Sequence, residues 1–285
     1  MTKKNNIIAF QGIAGANSDM ACRQAYPYME TKAYPSFEDA MAAVEKGDAT
    51  LCMIPIENSR AGRVAEIHNL LQGTNLSIVG EHFQRVEHQL MAPKGARLSD
   101  IKEVYSHPQA LMQCKENLKK LGITPKEYSN TAVAAKDVAS WGDKSKAAIA
   151  SKLSSELYGL EILKANIEDD HENTTVFIAM AGEHNDPNPK DGDVITSLLF
   201  TARNIPAALY KALGGFATNH VNLLKIESYI PGGTSETAQF FISFEGHPAE
   251  RKVQLALEEL GFFCKKVKVL GVYHADKRRF SKKIE

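Results

Sequence analysis

Short apolar runs alternate with glycine- and proline-marked turns and with stretches of helical spacing along the first 180 residues. Residues 7–11 (IIAFQ) read as a buried strand. The turn Gly12-Ile13-Ala14-Gly15 and a helix over about residues 18–26 follow it. Helical spacing returns over 37–46, with Pro35-Ser36 as its start signal, then a strand over 49–55 and a helix over 63–71. Further on, 76–81, 88–92 and 104–106 read as strands, and 109–121 and 131–140 as helices. Residues 147–150 form a strand, 151–158 a helix closed by Gly159, and 174–180 a strand of β-branched and apolar residues. Alternation of this kind argues for α/β layers.

Residues 181–193 (AGEHNDPNPKDGD) are proline, glycine and small polar residues, and the main domain boundary is placed there. Beyond it come a strand over 194–201, a helix over 206–216, a strand over 221–229, a turn at Gly232-Gly233, a strand over 237–245, a helix over 249–260 and a strand over 264–273. This is a β-α-β-β-α-β order, the ferredoxin-like arrangement. The tail over 276–285 is charged and expected to fray.

Composition narrows the classes. Apolar residues make up 44% and charged residues 24% of 285, the profile of a soluble globular chain able to bury a sizeable core without staples. The 34 basic and 34 acidic residues cancel, so neither nucleic acid nor an anionic membrane is expected as a partner. The apolar run 7–10 is too short for a signal-peptide core and no run approaches a membrane span, so a cytoplasmic location is the expectation. Cys22, Cys52, Cys114 and Cys264 are scattered and read as small buried thiols.

Four segments have the character of loops leaving strand ends, where sites in open α/β domains sit. In the first, Gly12 to Ser18, glycines before a helix leave backbone N–H groups for an anion, or form an ordinary tight turn. In the second, Glu57-Asn58-Ser59 with Ala61-Gly62, three hydrogen-bonding groups stand at a strand end, or cap a helix. The third is Ser106-His107-Pro108-Gln109 with Gln113-Cys114, where Gln109 and Gln113 share a helix face. The fourth is Asn173-Thr174-Thr175-Val176-Phe177, a polar entry to an apolar strand. No P-loop, dinucleotide fingerprint, H-E-x-x-H or G-x-S-x-G is present. His68, His82, His88 and His107 lack metal-ligand spacing and read as solvated or hydrogen-bonded imidazoles. Amides and hydroxyls suit a site that positions a small anion and stabilises a leaving oxygen.

In this order, Gly12-x-x-Gly15, P-I-E-N-S, Y-S-H-P-Q with Gln113-Cys114, and Tyr158-Gly159-Leu160 with N-T-T-V-F resemble prephenate dehydratase over about residues 6–182. Residues 194–275 resemble the ACT regulatory domain, through 205–210 (IPAALY) and 222–228 (NLLKIES). The resemblance implies a periplasmic-binding-protein-like catalytic domain over 1–182, with lobes of about 1–75 plus 165–182 and 76–164. A linker over 183–193 and the βαββαβ ACT domain would follow. It implies conversion of prephenate to phenylpyruvate, or of arogenate in the sister activity, with no cofactor. A non-catalytic amino-acid-sensing protein is the reading from another class. Carried over, Glu57, Asn58, Ser59, Ser106, Gln113 and Thr175 are the catalytic set, with Thr175 foremost. Gly12, Gly15, Ala16, Thr174 and Phe177 bind substrate. Phenylalanine is the implied effector, at Ala207-Ala208-Leu209 and Asn222, Leu223, Glu227 and Ser228 of neighbouring subunits, which requires a homodimer or homotetramer.

Three departures stand out. Val176 replaces the family's arginine. If that arginine binds substrate, activity should be weak unless Arg23, Arg60 or Arg63 substitutes; if it makes a structural pair, activity should survive. Ala207 stands where the family has glycine, and Tyr229 where it has arginine.

Overall fold

The structure, a computed structural model, describes residues 6–184, 186–230 and 238–280. The first lobe opens with β1 (Ile7–Gln11), α1 (Asn17–Ala25), β2 (Glu30–Tyr34), α2 (Phe37–Glu45), β3 (Leu51–Asn58), β4 (Gly62–Arg63), α3 (Ala65–Gly73) and β5 (Ser77–Arg85). The second holds β6 (Gln89–Ala92), β7 (Glu103–Ser106), α4 (Pro108–Gln113), α5 (Lys115–Leu121), β8 (Thr124–Glu127), α6 (Thr131–Trp141), β9 (Lys146–Ala150), α7 (Lys152–Tyr158) and β10 (Glu161–Lys164). The chain then returns to the first lobe as β11 (Thr174–Ala181). A C-terminal unit adds β12 (Val194–Ala202), α8 (Ala208–Thr218), β13 (Leu223–Tyr229), β14 (Gln239–Glu245), α9 (Arg251–Phe263) and β15 (Cys264–His274).

The first sheet runs β2-β1-β3-β11-β5 with β4 hairpinned onto β3, and the second β10-β6-β9-β7-β8. β1 pairs in parallel with β2 and β3, whereas β11 lies antiparallel between β3 and β5. The chain therefore leaves the first lobe once and re-enters it once. This is an α/β, periplasmic-binding-protein-like pair of lobes with two crossings. The C-terminal sheet, β13-β14-β12-β15, is the antiparallel ferredoxin-like order, with α8 and α9 on one face.

Several expectations are corrected. Residues 77–85 belong to the first sheet, because β5 pairs along β11, so the lobes part near residue 86 and not at 76. The helix expected over 109–121 breaks at Cys114. There the Asp169 carboxylate, from the return crossing, accepts from Glu116 N and Asn117 N (2.9 and 3.0 Å) and starts a new helix. β2, β8 and β10 were absent from the sequence reading. All three are edge strands with mostly exposed or half-exposed residues, so no apolar alternation marks them. The tail docks as far as Phe280: Arg279 Nε donates to the buried Glu81 carboxylate at 2.6 Å and the guanidinium lies over the Phe83 ring. Gly232-Gly233, the start of the strand expected at 237, and 281–285 fall outside the described residues.

Residues 183–193 join units that share one core. Ile54, Ile67, Ile78 and Ile178 of the first lobe pack with Ile195, Leu199, Phe241, Leu270 and Tyr273 of the C-terminal sheet. Both faces of β12 are thus covered, which explains why residues 194–200 are buried without a break, Thr196 and Ser197 included. A Cβ at Gly271 would overlap the Ile78 carbonyl, so β15 meets β5 backbone to backbone.

Candidate active site

The two crossings run side by side. Val86 N donates to Asn173 O, Ile167 N to His88 O, and His88 N to Glu168 Oε2, each at 2.9 Å. A cleft of about 270 Å³ opens above them between the lobes. β3 and β11 bring Asn58 and Thr175 to its wall as a cross-strand pair. α4 brings Gln113, the crossings bring His88 and Asn173, and Asn130-Thr131 face it from the start of α6.

These side chains form one hydrogen-bonded chain whose polarity is set by the backbone. Asn58 Oδ1 accepts from Arg60 N and Ala61 N (3.0 and 2.9 Å). Its Nδ2 therefore donates to Thr175 Oγ1 at 2.9 Å and to Asn173 Oδ1 at 2.8 Å. Asn173 Nδ2 in turn donates to Gln113 Oε1 at 3.1 Å. His88 Nε2 lies 2.7 Å from the same oxygen, which only accepts, so that nitrogen carries the proton. Burial pulls the His88 pKa below its usual value despite the Gln113 hydrogen bond and the nearby Glu168, keeping the ring neutral. Two donors remain for a ligand: the Thr175 hydroxyl proton and the Gln113 amide. No carboxylate lines the cleft among the described residues, and Arg63 is its one permanent cation.

Other expected site residues lie elsewhere. Glu57 and Asn58 are adjacent on β3, so their side chains take opposite faces. Glu57 faces the C-terminal unit, where Lys225 Nζ meets its carboxylate. A strand ending at 55 would leave all three polar residues together in one loop, but β3 runs on to Asn58. Ser59 ties the loop to β11: its Oγ donates to Glu172 O (3.1 Å) and accepts from Thr174 N (3.0 Å). Thr174 and Val176 face outward with Glu57, beside Arg278 and Arg279. Ser106 is fully buried and donates to Ile149 O at 2.6 Å, which joins β7 to β9. Phe177 is buried behind the cleft against Phe10 and Met53.

The glycine loop offers no free N–H for an anion at the expected positions. Gly12 N donates to Tyr34 O, Gly15 N to Asp19 Oδ2, and Ala16 N to Ile13 O. Instead the loop joins the lobes. Gly15 O accepts from Ser151 Oγ and Ser154 Oγ (2.5 and 2.9 Å), and Tyr158 Oη donates to Ala14 O at 2.6 Å. Asn17, just past it, does line the cleft.

In the C-terminal unit, Ala207 is left-handed (φ 58°) at the start of α8, the geometry glycine adopts freely. Ala208 and Leu209 open that helix, and Leu209 and Leu223 pack against the core beneath α8 and α9. Asn222 Nδ2 donates to Glu245 Oε1 at 2.9 Å. Glu227 faces the first lobe, between Lys225 (2.8 Å) and His68. Ser228 O accepts from Arg63 Nη1 at 2.6 Å. All four cysteines are free and buried, and burial raises every thiol pKa, to about 12 at Cys52 and about 11 at Cys264.

Residues 8–185 match the family model described as prephenate dehydratase. The chain belongs to the prephenate dehydratase family. A bifunctional N-acyl-homoserine lactone acylase/prephenate dehydratase of Komagataeibacter europaeus is 48% identical over 94% of this chain and 96% of its own. Arogenate dehydratase/prephenate dehydratase 1 of Arabidopsis thaliana is 39% identical over 94% of this chain and 72% of its own. The solved prephenate dehydratase of Arthrobacter aurescens in complex with L-Phe is 28% identical, with a TM-score of 0.84 over 94% of this chain and 89% of that one. Within this family member, the arginine position of the N-x-T-R-F motif, Val176, points away from the cleft. Of the three arginines weighed as substitutes, Arg23 pairs with Asp19 and Arg60 with Asp170, while Arg63 lines the cleft. No helix among the described residues is long and apolar enough to cross a membrane.

Proposed function

We propose that this chain dehydrates and decarboxylates prephenate to phenylpyruvate. The observation that carries the reading is the acid-free cleft in which Thr175 is oriented by Asn58, with its own proton left to donate. As the bond from the ring to its carboxylate breaks, its electron pair enters the ring and carbon dioxide leaves. The ring expels the C4 hydroxyl as hydroxide, which takes a proton from the Thr175 hydroxyl, itself reprotonated from solvent, and leaves as water. A hydrogen bond from Thr175 to that departing oxygen stabilises the developing charge, an effect of about 10²–10⁴ in rate. Gln113 and the start of α6, capped by Asn130, supply polar donors to carboxylate oxygens and fix the ring. The chain's own residues provide every group this needs, without a cofactor.

Phenylalanine is the proposed effector, bound at the start of α8 and along the edge strand β13 of an adjoining subunit. A dimer or tetramer follows from that sharing. Purified protein incubated with prephenate should release phenylpyruvate, with phenylalanine lowering the rate; no product at any prephenate concentration refutes the assignment. Arogenate in parallel distinguishes the sister activity named for the Arabidopsis relative. A second reading comes from the acylase named in the Komagataeibacter relative. A hollow of about 660 Å³ adjoins the cleft along Pro108 and Met112 and offers an apolar seat for an acyl chain. Release of free homoserine lactone from an N-acylated one tests it.

A further inference from the structure

We infer that His88 is a positioning residue: its ring pins the Gln113 carbonyl at the crossings and so holds the Gln113 amide hydrogens ready for a substrate carboxylate in the cleft. The inference rests on the prephenate reading and names what keeps that donor aimed. His88 and Gln113 both line the cleft, and the contact between them is direct, with His88 Nε2 standing 2.7 Å from Gln113 Oε1. Asn173 Nδ2 donates to the same oxygen at 3.1 Å. Asn173 is not free to turn its amide round, because Asn58, fixed by Arg60 N and Ala61 N, donates to Asn173 Oδ1. A reversed Gln113 would set its own NH2 against that of Asn173. The Gln113 oxygen therefore stays at the crossings, and its NH2, with no protein acceptor among the described residues, is left to the cleft.

A single hydrogen bond lets a side chain swing about it; two donors converging on one oxygen from different segments do not. Glutamine otherwise samples many rotamers, and fixing it beforehand lowers the entropic cost of binding. His88 is itself built in. It is almost fully buried, its N–H donates to Glu168 Oε2, and its carbonyl accepts from Ile167 N, each at 2.9 Å. The Gln113 backbone is tied to the same return crossing, its carbonyl accepting from Asp169 N at 2.7 Å. Gln113 belongs to the second lobe, yet each of these contacts comes from the crossings, so its amide is fixed to the axis that joins the lobes. Burial keeps the His88 ring neutral, which gives a directed donor without a charge beside the substrate.

Prephenate turnover tests this, together with prephenate binding by titration calorimetry in a Thr175→Val background, where the substrate persists. His88→Leu removes the donor and should raise KM and weaken binding about three- to thirtyfold, with kcat changed less than about threefold. His88→Gln should recover most of that loss, because a glutamine amide nitrogen reaches the place of Nε2; His88→Asn, which reaches only the place of Nδ1, should not. In a Gln113→Leu background, His88→Leu should cost nothing further. Equal losses in the two backgrounds, or unchanged affinity in His88→Leu, overturn the inference. If His88→Leu fails to fold, His88→Asn runs through the same cycle with His88→Gln as its control. Protein that binds prephenate without converting it sinks the proposed reaction and leaves His88 to be judged on affinity alone; protein that binds none sinks both.

Discussion

Thr175 and Val176 are neighbours in sequence and opposites in space. Thr175 receives a hydrogen bond from Asn58, so Thr175→Val removes the hydroxyl proposed to meet the leaving oxygen while keeping shape. The expected outcome is a loss of about 10²–10⁴ in kcat with KM little changed, read by steady-state kinetics. Val176 faces Glu57, whose carboxylate already has Lys225. Val176→Arg should then leave kcat within roughly threefold of the parent, because it adds a competitor for Glu57 and touches nothing in the cleft. A large rate gain would show that the arginine acts on substrate from that face. At this scale the sequence made Asn58, Gln113 and Thr175 visible, since their motifs hold the polar residues that reach the cleft. Which face each neighbour takes was not visible: Glu57, Ser59, Thr174 and Ser106 carry the same chemistry and turn elsewhere. Asn173 stands in the same motif as Thr175, yet its link from Asn58 to Gln113 follows only from the fold. His88 reads in the sequence as a solvated or hydrogen-bonded imidazole, and it is hydrogen-bonded, but its partner Gln113 stands 25 positions away and no local pattern names it.

Elements buried on one or both faces were legible because burial imposes a pattern. β1, β3 and β9 declared themselves as apolar runs, and β11 and β12 as runs of β-branched and apolar residues. Edge strands and the α4–α5 break were not, because one lacks a buried face and the other depends on Asp169 arriving from the return crossing. The turn before α1 shows what an element boundary can hide. Gly15 sits at φ 87°, and a Cβ there would fall 2.8 Å from Ser154 Oγ. Gly15→Ala should thus strain the backbone and push α7 away, costing about 2–4 kcal/mol in chemical denaturation. Ala207 poses the converse case: Ala207→Gly should stabilise by up to about 1 kcal/mol, visible as a higher melting temperature, because glycine adopts φ 58° without the Cβ penalty.

For the molecule as a whole, the seam between first lobe and C-terminal unit has a pH limit. Burial pushes the Glu227 carboxyl up, but hydrogen bonds from His68 and Lys225, with the Lys225 charge, outweigh it and hold the pKa at about 2 against an ordinary 4.5. A depressed carboxylate favours the folded state above its unfolded pKa and stops doing so once protonated. Stability from this group is therefore complete above pH 4.5 and drains away between 4.5 and 2. Glu227→Gln should flatten that part of the stability profile measured by urea denaturation at stepped pH. The βαββαβ order was readable from six strand and helix segments; the mating of its open sheet face with the first lobe was not, since an apolar face does not name its partner. That mating constrains how such a gene can be cut. A fragment ending at residue 193 would leave Ile54, Ile78 and Ile178 with a bare greasy flank where Phe241 and Leu270 belong. It should precipitate or clump on expression instead of persisting as a free-standing domain.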